Sequence, residues 1–442
     1  MTSSASPHAE LLALSAVELR RRIGAKQLSP VELLDACIDR IAALNPHVNA
    51  VTATAFERAR AEARAAEAAV LRGDRLGLLH GLPLGVKDLE ETAGLPTTYR
   101  SPIHRANVPA ADNGLVARLR AAGAIVTAKT NVPEMGAGAN SFNLVWGATG
   151  NPFDPRLNAG GSSGGSACAL ALDLLPVCTG SDTGGSLRIP AAKCGVVGFR
   201  PSPGLVPSTR RPLGWSPISV VGPMGRTVHT LDFSGADQPF ADAHRCFDVL
   251  RAVAFVTGMR EACERDPTSL GPNPRSNYEL GAAMRLVDVA WAEAEQTRLL
   301  KRFQRVFDEV DLVLAPVTPV SPFPWTQPHA AVVQGRAQAN DYRWLALTDV
   351  TTLTTHPALA LPCGRDGRGM PFGLQVLGRF RDDLGTLAAG QAMEAAFAAD
   401  PALARPRPDP ARLGPVTPTL RSIVTAPPVL DATSTAGAAS AV

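Results

Sequence analysis

What this sequence lacks narrows it first. Aromatic residues are scarce at 5%, with five Trp, three Tyr and fourteen Phe, so there is little from which to build a platform for stacked bases. An excess of charge of either sign is also missing. Forty-three basic against 40 acidic side chains leave a formal net charge of +3, too even for a nucleic-acid groove or an anionic membrane surface. No apolar run approaches the roughly 18 residues needed to span a bilayer. The chain does not open on a basic stretch followed by an apolar one, so no secretory signal is read and a cytoplasmic protein is expected. The seven cysteines (37, 168, 178, 194, 246, 263 and 363) include no CxxC pair, and the eight histidines have neither HExxH nor HxxxH spacing. An odd, scattered set of thiols reads as reduced core cysteines, and neither a disulfide framework nor a metal site is expected.

What is present is ordinary for a soluble enzyme: 442 residues, 45% hydrophobic and 19% charged. Ser29, Pro30 and Glu32 form a capping-box start with proline at the first helical position, followed by apolar residues at helical spacing from Leu33 to Leu44. A second helix is read over 55–72, stopped by Gly73. Leu82 to Val86 reads as a buried strand with Lys87 at its end. "LVARLRAAG" and "AIVTAKTNVPE" then read as helix, glycine stop and strand. Further on come a long helix over 285–312, the strand "LVLAPVTP", two more strands in "HPALALPCG" and "PFGLQVLGR", and a helix over 383–398. This alternation implies α/β layering around a mostly parallel sheet. Three parts are expected: a flexible N-terminus over 1–10, a catalytic domain over 11–400, and a proline-rich, low-complexity tail over 401–442.

Two glycine–serine clusters, "GGSSGGS" at 160–166 and "SDTGGSLR" at 181–188, hold the chemistry. A phosphate cradle is disfavoured. There is no lysine and Ser/Thr directly after the glycines, and the polar loop before them is not the strand a dinucleotide fingerprint needs. Gly160–Ser162–Gly164 and Gly161–Ser163–Gly165 both satisfy G-x-S-x-G, for which His356 is the best-placed partner, although it precedes a proline in an apolar segment where histidines are usually structural. A third reading uses both clusters. Ser186 follows Thr183, Gly184 and Gly185 on a turn whose N–H groups can converge as an oxyanion hole. Ser186 would be the nucleophile, Lys87, made less basic by burial, its base, and Ser162 or Ser163 a relay between them. Residues 206–218, with two arginines and Trp215, read either as a solvated connector or as a mobile rim loop.

The order and spacing of these segments resemble the amidase signature family: "GGSSGGS", an apolar stretch, "GSDTGGSLRIPA", then "CGVVGFRP", with "GLPLGVKD" upstream. "TNVPEMG", "GATGNPFDP", "GPMGRTV", "DLVLAPVTP", "HPALALPCG" and "PFGLQVLGR" extend the likeness over roughly residues 10–400. The resemblance implies a mixed central β-sheet enclosed by α-helices and a Ser–cisSer–Lys triad of Ser186, Ser162 and Lys87, with a cis Gly161–Ser162 peptide. Thr183, Gly184 and Gly185 would supply oxyanion N–H groups, helped by that of Ser186. Ser163, Asp182 and Arg188 would support the loops, and Met135, Gly136 and Ala137 would line the substrate pocket. It further implies hydrolysis of amide or carbamate C–N bonds without cofactor or metal, on uncharged aryl or bulky small molecules, with no nucleic-acid or membrane partner, by a monomer or homodimer. After "GPMGRTV" a segment usual in the family is absent, near 229–233. That shortening resembles aryl-acylamidase-like and urethanase members and is expected to open the cleft. The alternatives are the amidase subunit of a tRNA-dependent amidotransferase, which shares the signature, and a non-catalytic member acting as a binding module.

Overall fold

A computed structural model describes residues 8–208, 213–214, 216–226, 242–416 and 418–430. Arg210, Arg211 and Trp215 of the segment 206–218, the point near 229–233, and the ends 1–7 and 431–442 lie outside the described residues.

Nine strands form the central sheet: β1 (Val51–Thr54), β2 (Pro83–Lys87), β3 (Ile125–Thr130), β4 (Val177–Asp182), β5 (Val197–Arg200), β6 (Val220–Gly225), β7 (Val313–Pro316), β8 (Ala358–Arg365) and β9 (Pro371–Leu377). Their spatial order is β1-β3-β2-β4-β6-β5-β8-β9-β7. The sheet is mixed, as expected, but it is not mostly parallel. Parallel pairing is confined to β3–β2–β4, while every other pairing is antiparallel. The reason is local for β8 and β9, which are joined by a short turn and so can pair only antiparallel.

Local signals place the outer helices. The Ser29 hydroxyl accepts from the N–H groups of Val31 and Glu32 and starts the helix Pro30–Val48. Gly73, at φ 82°, ends Phe56–Arg72. The helix read over 285–312 is shorter, Leu286–Val306, because the chain tightens into i→i+3 turns from Phe307 before β7. Asp383–Ala398 matches its reading.

The helix Gly164–Ala171 lies in the middle of the molecule with all eight residues buried. Its sequence, GGSACALA, explains that position, since small side chains let its backbone come close to the sheet. A Cβ on Gly165 would stand 2.2 Å from the Asn131 backbone nitrogen. Because β2 and β4 run parallel, with Leu84 opposite Val177 and Gly85 opposite Cys178, their C-terminal residues Lys87 and Asp182 emerge at the same edge of the sheet. The cysteines are all free thiols, and six of them are buried. The described residues of the C-terminal segment are tied to this body: Gly364 N–H donates to Leu403 O, Arg405 Nε to Gly195 O and Ala148 N–H to Leu420 O. Among the described residues, no helix is long and apolar enough to cross a membrane.

Candidate active site

Lys87 ends β2 with its side chain completely buried. Its Nζ lies 2.7 Å from Ser162 Oγ, 2.8 Å from Ser163 Oγ and 2.9 Å from Ser181 Oγ. An ammonium has three protons, and three hydroxyl oxygens meet them. Burial pulls the Lys87 pKa down to about 7, partly opposed by the charges of Glu90 and Asp182. The neutral amine is therefore accessible near neutral pH, and once formed it can take a proton from one of the same hydroxyls. Ser181 is the member that the sequence reading missed. It stands in the "GSDTGGS" segment, but nothing in its spacing separates a lysine partner from an ordinary strand residue.

The Gly161–Ser162 peptide is cis, as the resemblance implied. The two clusters meet where the Ser163 N–H donates to the Ser186 carbonyl at 3.2 Å, which seats half-buried Ser186 beside the Ser162–Ser163 turn. Ser186 follows Gly185, whose φ of 119° only glycine adopts readily.

Asp182 organises the turn that carries Ser186. Its Oδ1 accepts from Gly185 N–H at 2.8 Å, Arg188 Nη2 at 3.0 Å and Arg200 Nη1 at 3.2 Å. Its Oδ2 accepts from Leu187 N–H at 3.2 Å and Arg188 Nε at 3.0 Å. Burial alone would raise this carboxyl, but Arg188 and Arg200 outweigh it and hold Asp182 well below the usual carboxylate range. Arg188 also reaches Thr351, Thr352 and Gln375, tying the turn to the far half of the sheet. These contacts change the expected role of Gly185. Its N–H is spent on Asp182, so it is not a free oxyanion donor. Among the described residues, the N–H groups of Thr183, Gly184 and Ser186 have no backbone acceptor and remain for that task.

Met135 and Gly136 sit in a left-handed turn, at φ 51° and 71°. A Cβ on Gly136 would stand 3.6 Å from Ser162 Oγ and 2.8 Å from Leu89 Cδ1, so this turn borders Ser162. Ala137 is buried, and its carbonyl accepts from Asn273 Nδ2. On the other side the ring of Phe247 closes on Gly184, where a Cβ would meet Cζ at 2.6 Å. Asn273 and Phe247 were not singled out from sequence, because both come from a helical region that carried no motif.

His356 is not brought into this arrangement. It is buried with Phe307 stacked at 5.1 Å and Phe303 edge-on at 4.9 Å, and its Nδ1 bonds Thr354 O. Burial pushes its pKa down to about 4, so it is a neutral core side chain. Among the described residues, no group of three or more His, Cys, Asp and Glu side chains is placed to hold a metal ion.

A family model described as Amidase matches residues 32–234 and 271–387, a span that includes Lys87, Ser162 and Ser186. The chain belongs to the amidase family. It is a hydrolase of amide C–N bonds. The unmatched stretch between the two blocks falls just after "GPMGRTV". A glutamyl-tRNA(Gln) amidotransferase subunit of Roseiflexus castenholzii is 31% identical over 481 positions, which cover 87% of this chain and 96% of that protein. A putative amidase, AmiB2, of Mycobacterium bovis is 31% identical over 433 positions, covering 82% and 92%. The crystal structure of a bacterial aryl acylamidase of the amidase signature enzymes superposes with a TM-score of 0.79 at 24% identity, covering 88% of this chain and 96% of that one. This last likeness establishes the amidase signature fold.

Proposed function

We propose that this amidase hydrolyses amide or carbamate bonds of uncharged aryl or bulky small molecules, without a cofactor, through Ser186, Ser162 and Lys87. The observation that carries the reading is the 2.7 Å contact between the buried Lys87 amine and Ser162, on a turn hydrogen-bonded to Ser186. Ser186 Oγ attacks the carbonyl carbon and gives its proton to Ser162 Oγ, whose own proton passes to the neutral Lys87 amine. The N–H groups of Thr183, Gly184 and Ser186 receive the oxyanion. As the tetrahedral intermediate collapses, the proton returns by the same relay to the leaving nitrogen. The amine departs, leaving an acyl-enzyme from an amide or an alkoxycarbonyl-enzyme from a carbamate, which water cleaves. Leu89 and Phe247, the side chains packed on Gly136 and Gly184, are apolar, which supports an uncharged substrate. The shortened segment near 229–233 supports an open cleft suited to bulky groups and hence the urethanase reading. Free thiols throughout support a cytoplasmic setting.

The test is a matched pair, an acetanilide and the corresponding N-aryl carbamate releasing the same amine, run with wild type and Ser186→Ala. Release from both by wild type alone supports the full reading. Release from the anilide alone narrows it to an aryl acylamidase. No release from either sinks it. The 31% identity to an amidotransferase component favours a second reading, the amidase component of such an assembly. Copurification with two further chains would decide for it, whereas an isolated chain that cleaves anilides decides against. A fluorophosphonate probe that fails to label Ser186 would instead mark a non-catalytic binding module.

A further inference from the structure

At the end of the Gly164–Ala171 helix away from Ser162 lies a cavity of about 210 Å³, with Arg40, Arg405, Arg407, Leu172 and Asp173 on its wall. Eight helical residues separate it from the relay serine, a span of about 12 Å. Its charge is lopsided. Arg40 comes from the Pro30–Val48 helix, Arg405 and Arg407 from the C-terminal segment, and buried Arg226 from the end of β6 stands beside them. Asp173 is the carboxylate on the wall, and its Oδ1 is already engaged by Arg226 at 3.2 Å. Glu394 is the other acid in range of Arg405.

The backbone takes one edge of two guanidiniums: Arg40 Nε donates to Leu172 O at 3.0 Å and Arg405 Nε to Gly195 O at 2.7 Å. Among the described residues, their terminal nitrogens have no such partner. Burial and the neighbouring charge of Arg407 lower Arg405 to about 10, with Asp173 and Glu394 opposing and Arg226 adding to the effect, so the arginines crowd one another despite the two acids. Three arginines drawn from two separate segments around one hollow, with Arg226 beside them, are a poor arrangement for a fold and a good one for an anion. Planar guanidinium forks match the oxygens of a tetrahedral oxyanion in pairs.

We propose that this cavity binds a phosphate-type oxyanion, inorganic phosphate or the phosphate group of a small phosphomonoester, held by Arg40, Arg405 and Arg407. The ligand bridges the C-terminal segment to the Pro30–Val48 helix, whose Arg40 is bonded to Leu172 at the end of the central helix.

The full chain is titrated calorimetrically with inorganic phosphate and with glycerol phosphate, and melted in each against chloride at matched ionic strength. At about ten times Kd the midpoint rises by about 1–2 °C. Arg40→Gln and Arg405→Gln each weaken binding at least tenfold, whereas Arg368→Gln, on an exposed turn, leaves it unchanged. If Arg405→Gln does not fold, Arg407→Gln, an exposed side chain, carries the test. Tighter binding of glycerol phosphate assigns an organic ligand, and equal or weaker binding assigns free phosphate. Absence of heat and of any midpoint shift with the wild-type chain overturns the proposal. So does binding that survives Arg40→Gln and Arg407→Gln together.

Discussion

Asp182→Asn changes one atom and should be among the most damaging conservative substitutions in this protein. Asp182, Arg188 and Arg200 are all completely buried, with ion-pair distances of 3.0 and 3.2 Å. Five N–H groups donate to the carboxylate. In the asparagine the amide NH2 must face one of the two sets. Turned one way it meets the donors Leu187 N–H and Arg188 Nε. Turned the other it meets Gly185 N–H and two guanidiniums. Either orientation sets donor against donor and removes the carboxylate that pairs with both buried guanidiniums. Breaking a buried pair by removing one partner costs about 3–5 kcal/mol, against a total stability of about 5–15 kcal/mol. With an unfolding entropy of roughly 2.1 cal/mol/K per residue, a 442-residue chain loses about 3–5 °C of melting midpoint. Activity should fall further than stability, because the Gly185 N–H bond holds the turn that presents Ser186. Misplacement by about 1 Å costs on the order of 100-fold. Thermal melts and anilide kinetics on the purified variant are the assay. A midpoint within about 1 °C of wild type together with an unchanged kcat/KM would refute the view that this ion cluster organises the nucleophile.

Three further outcomes follow from the same geometry. With an uncharged anilide, kcat/KM should rise with pH through a midpoint near 7, where Lys87 loses its proton, and Lys87→Met should remove that limb and cost about 10²–10⁴-fold; a flat profile between pH 5 and 8 would exclude Lys87 as the base. Gly136→Ala places a methyl 2.8 Å from Leu89 Cδ1 and 3.6 Å from Ser162 Oγ at φ 71°, so kcat should drop about tenfold or more with a midpoint loss of about 1–2 °C. Stability should rise with pH from 7 and turn over near 9, read from urea midpoints at half-unit steps. Buried Lys87, Lys193 and Lys129, held at about 7, 7 and 8, bind fewer protons folded than unfolded in that window, so raising pH favours the folded chain. Above the ordinary thiol range the sign reverses, because five buried thiols outnumber the three lysines: Cys37, Cys178 and Cys246, pushed up to about 12, and Cys168 and Cys194, also pushed well up, keep protons that the unfolded chain releases; a monotonic rise to pH 10 would contradict this.

The parts of the fold legible in the sequence were those that local chemistry fixes. Ser29 and Pro30 mark a helix start wherever they occur before an apolar stripe, and Gly73 marks an end. The helix Ala243–Arg265 was not read, for a physical reason. Its buried side chains crowd between Ala243 and Ala252, and beyond them only Cys263 is buried, so no single apolar stripe runs its length. Pairing direction was equally hidden. β4 lies parallel to β2 and antiparallel to β6, and a strand with both faces covered carries the same apolar run in either case.

In the site, spacing picked out Lys87, Ser162 and Ser186 but could not choose among hydroxyls, and distance alone does not choose either. Ser162, Ser163 and Ser181 lie at 2.7, 2.8 and 2.9 Å from the amine. What distinguishes them is how each is otherwise engaged. Ser163 Oγ also contacts Ser181 O and accepts from Ser181 N–H, both at 3.4 Å, so these two serines brace one another around the lysine. Among the described residues, the Ser162 hydroxyl has Lys87 as its one hydrogen-bond partner, and it faces the Gly136 turn. A relay must let go of one partner while it engages the next, and a hydroxyl already braced on both sides cannot. Ser181 Oγ, like Ser162 Oγ, has Lys87 as its one hydrogen-bond partner among the described residues, so what supports Ser162 as the proposed relay is its place on the turn that bonds Ser186 and faces Gly136.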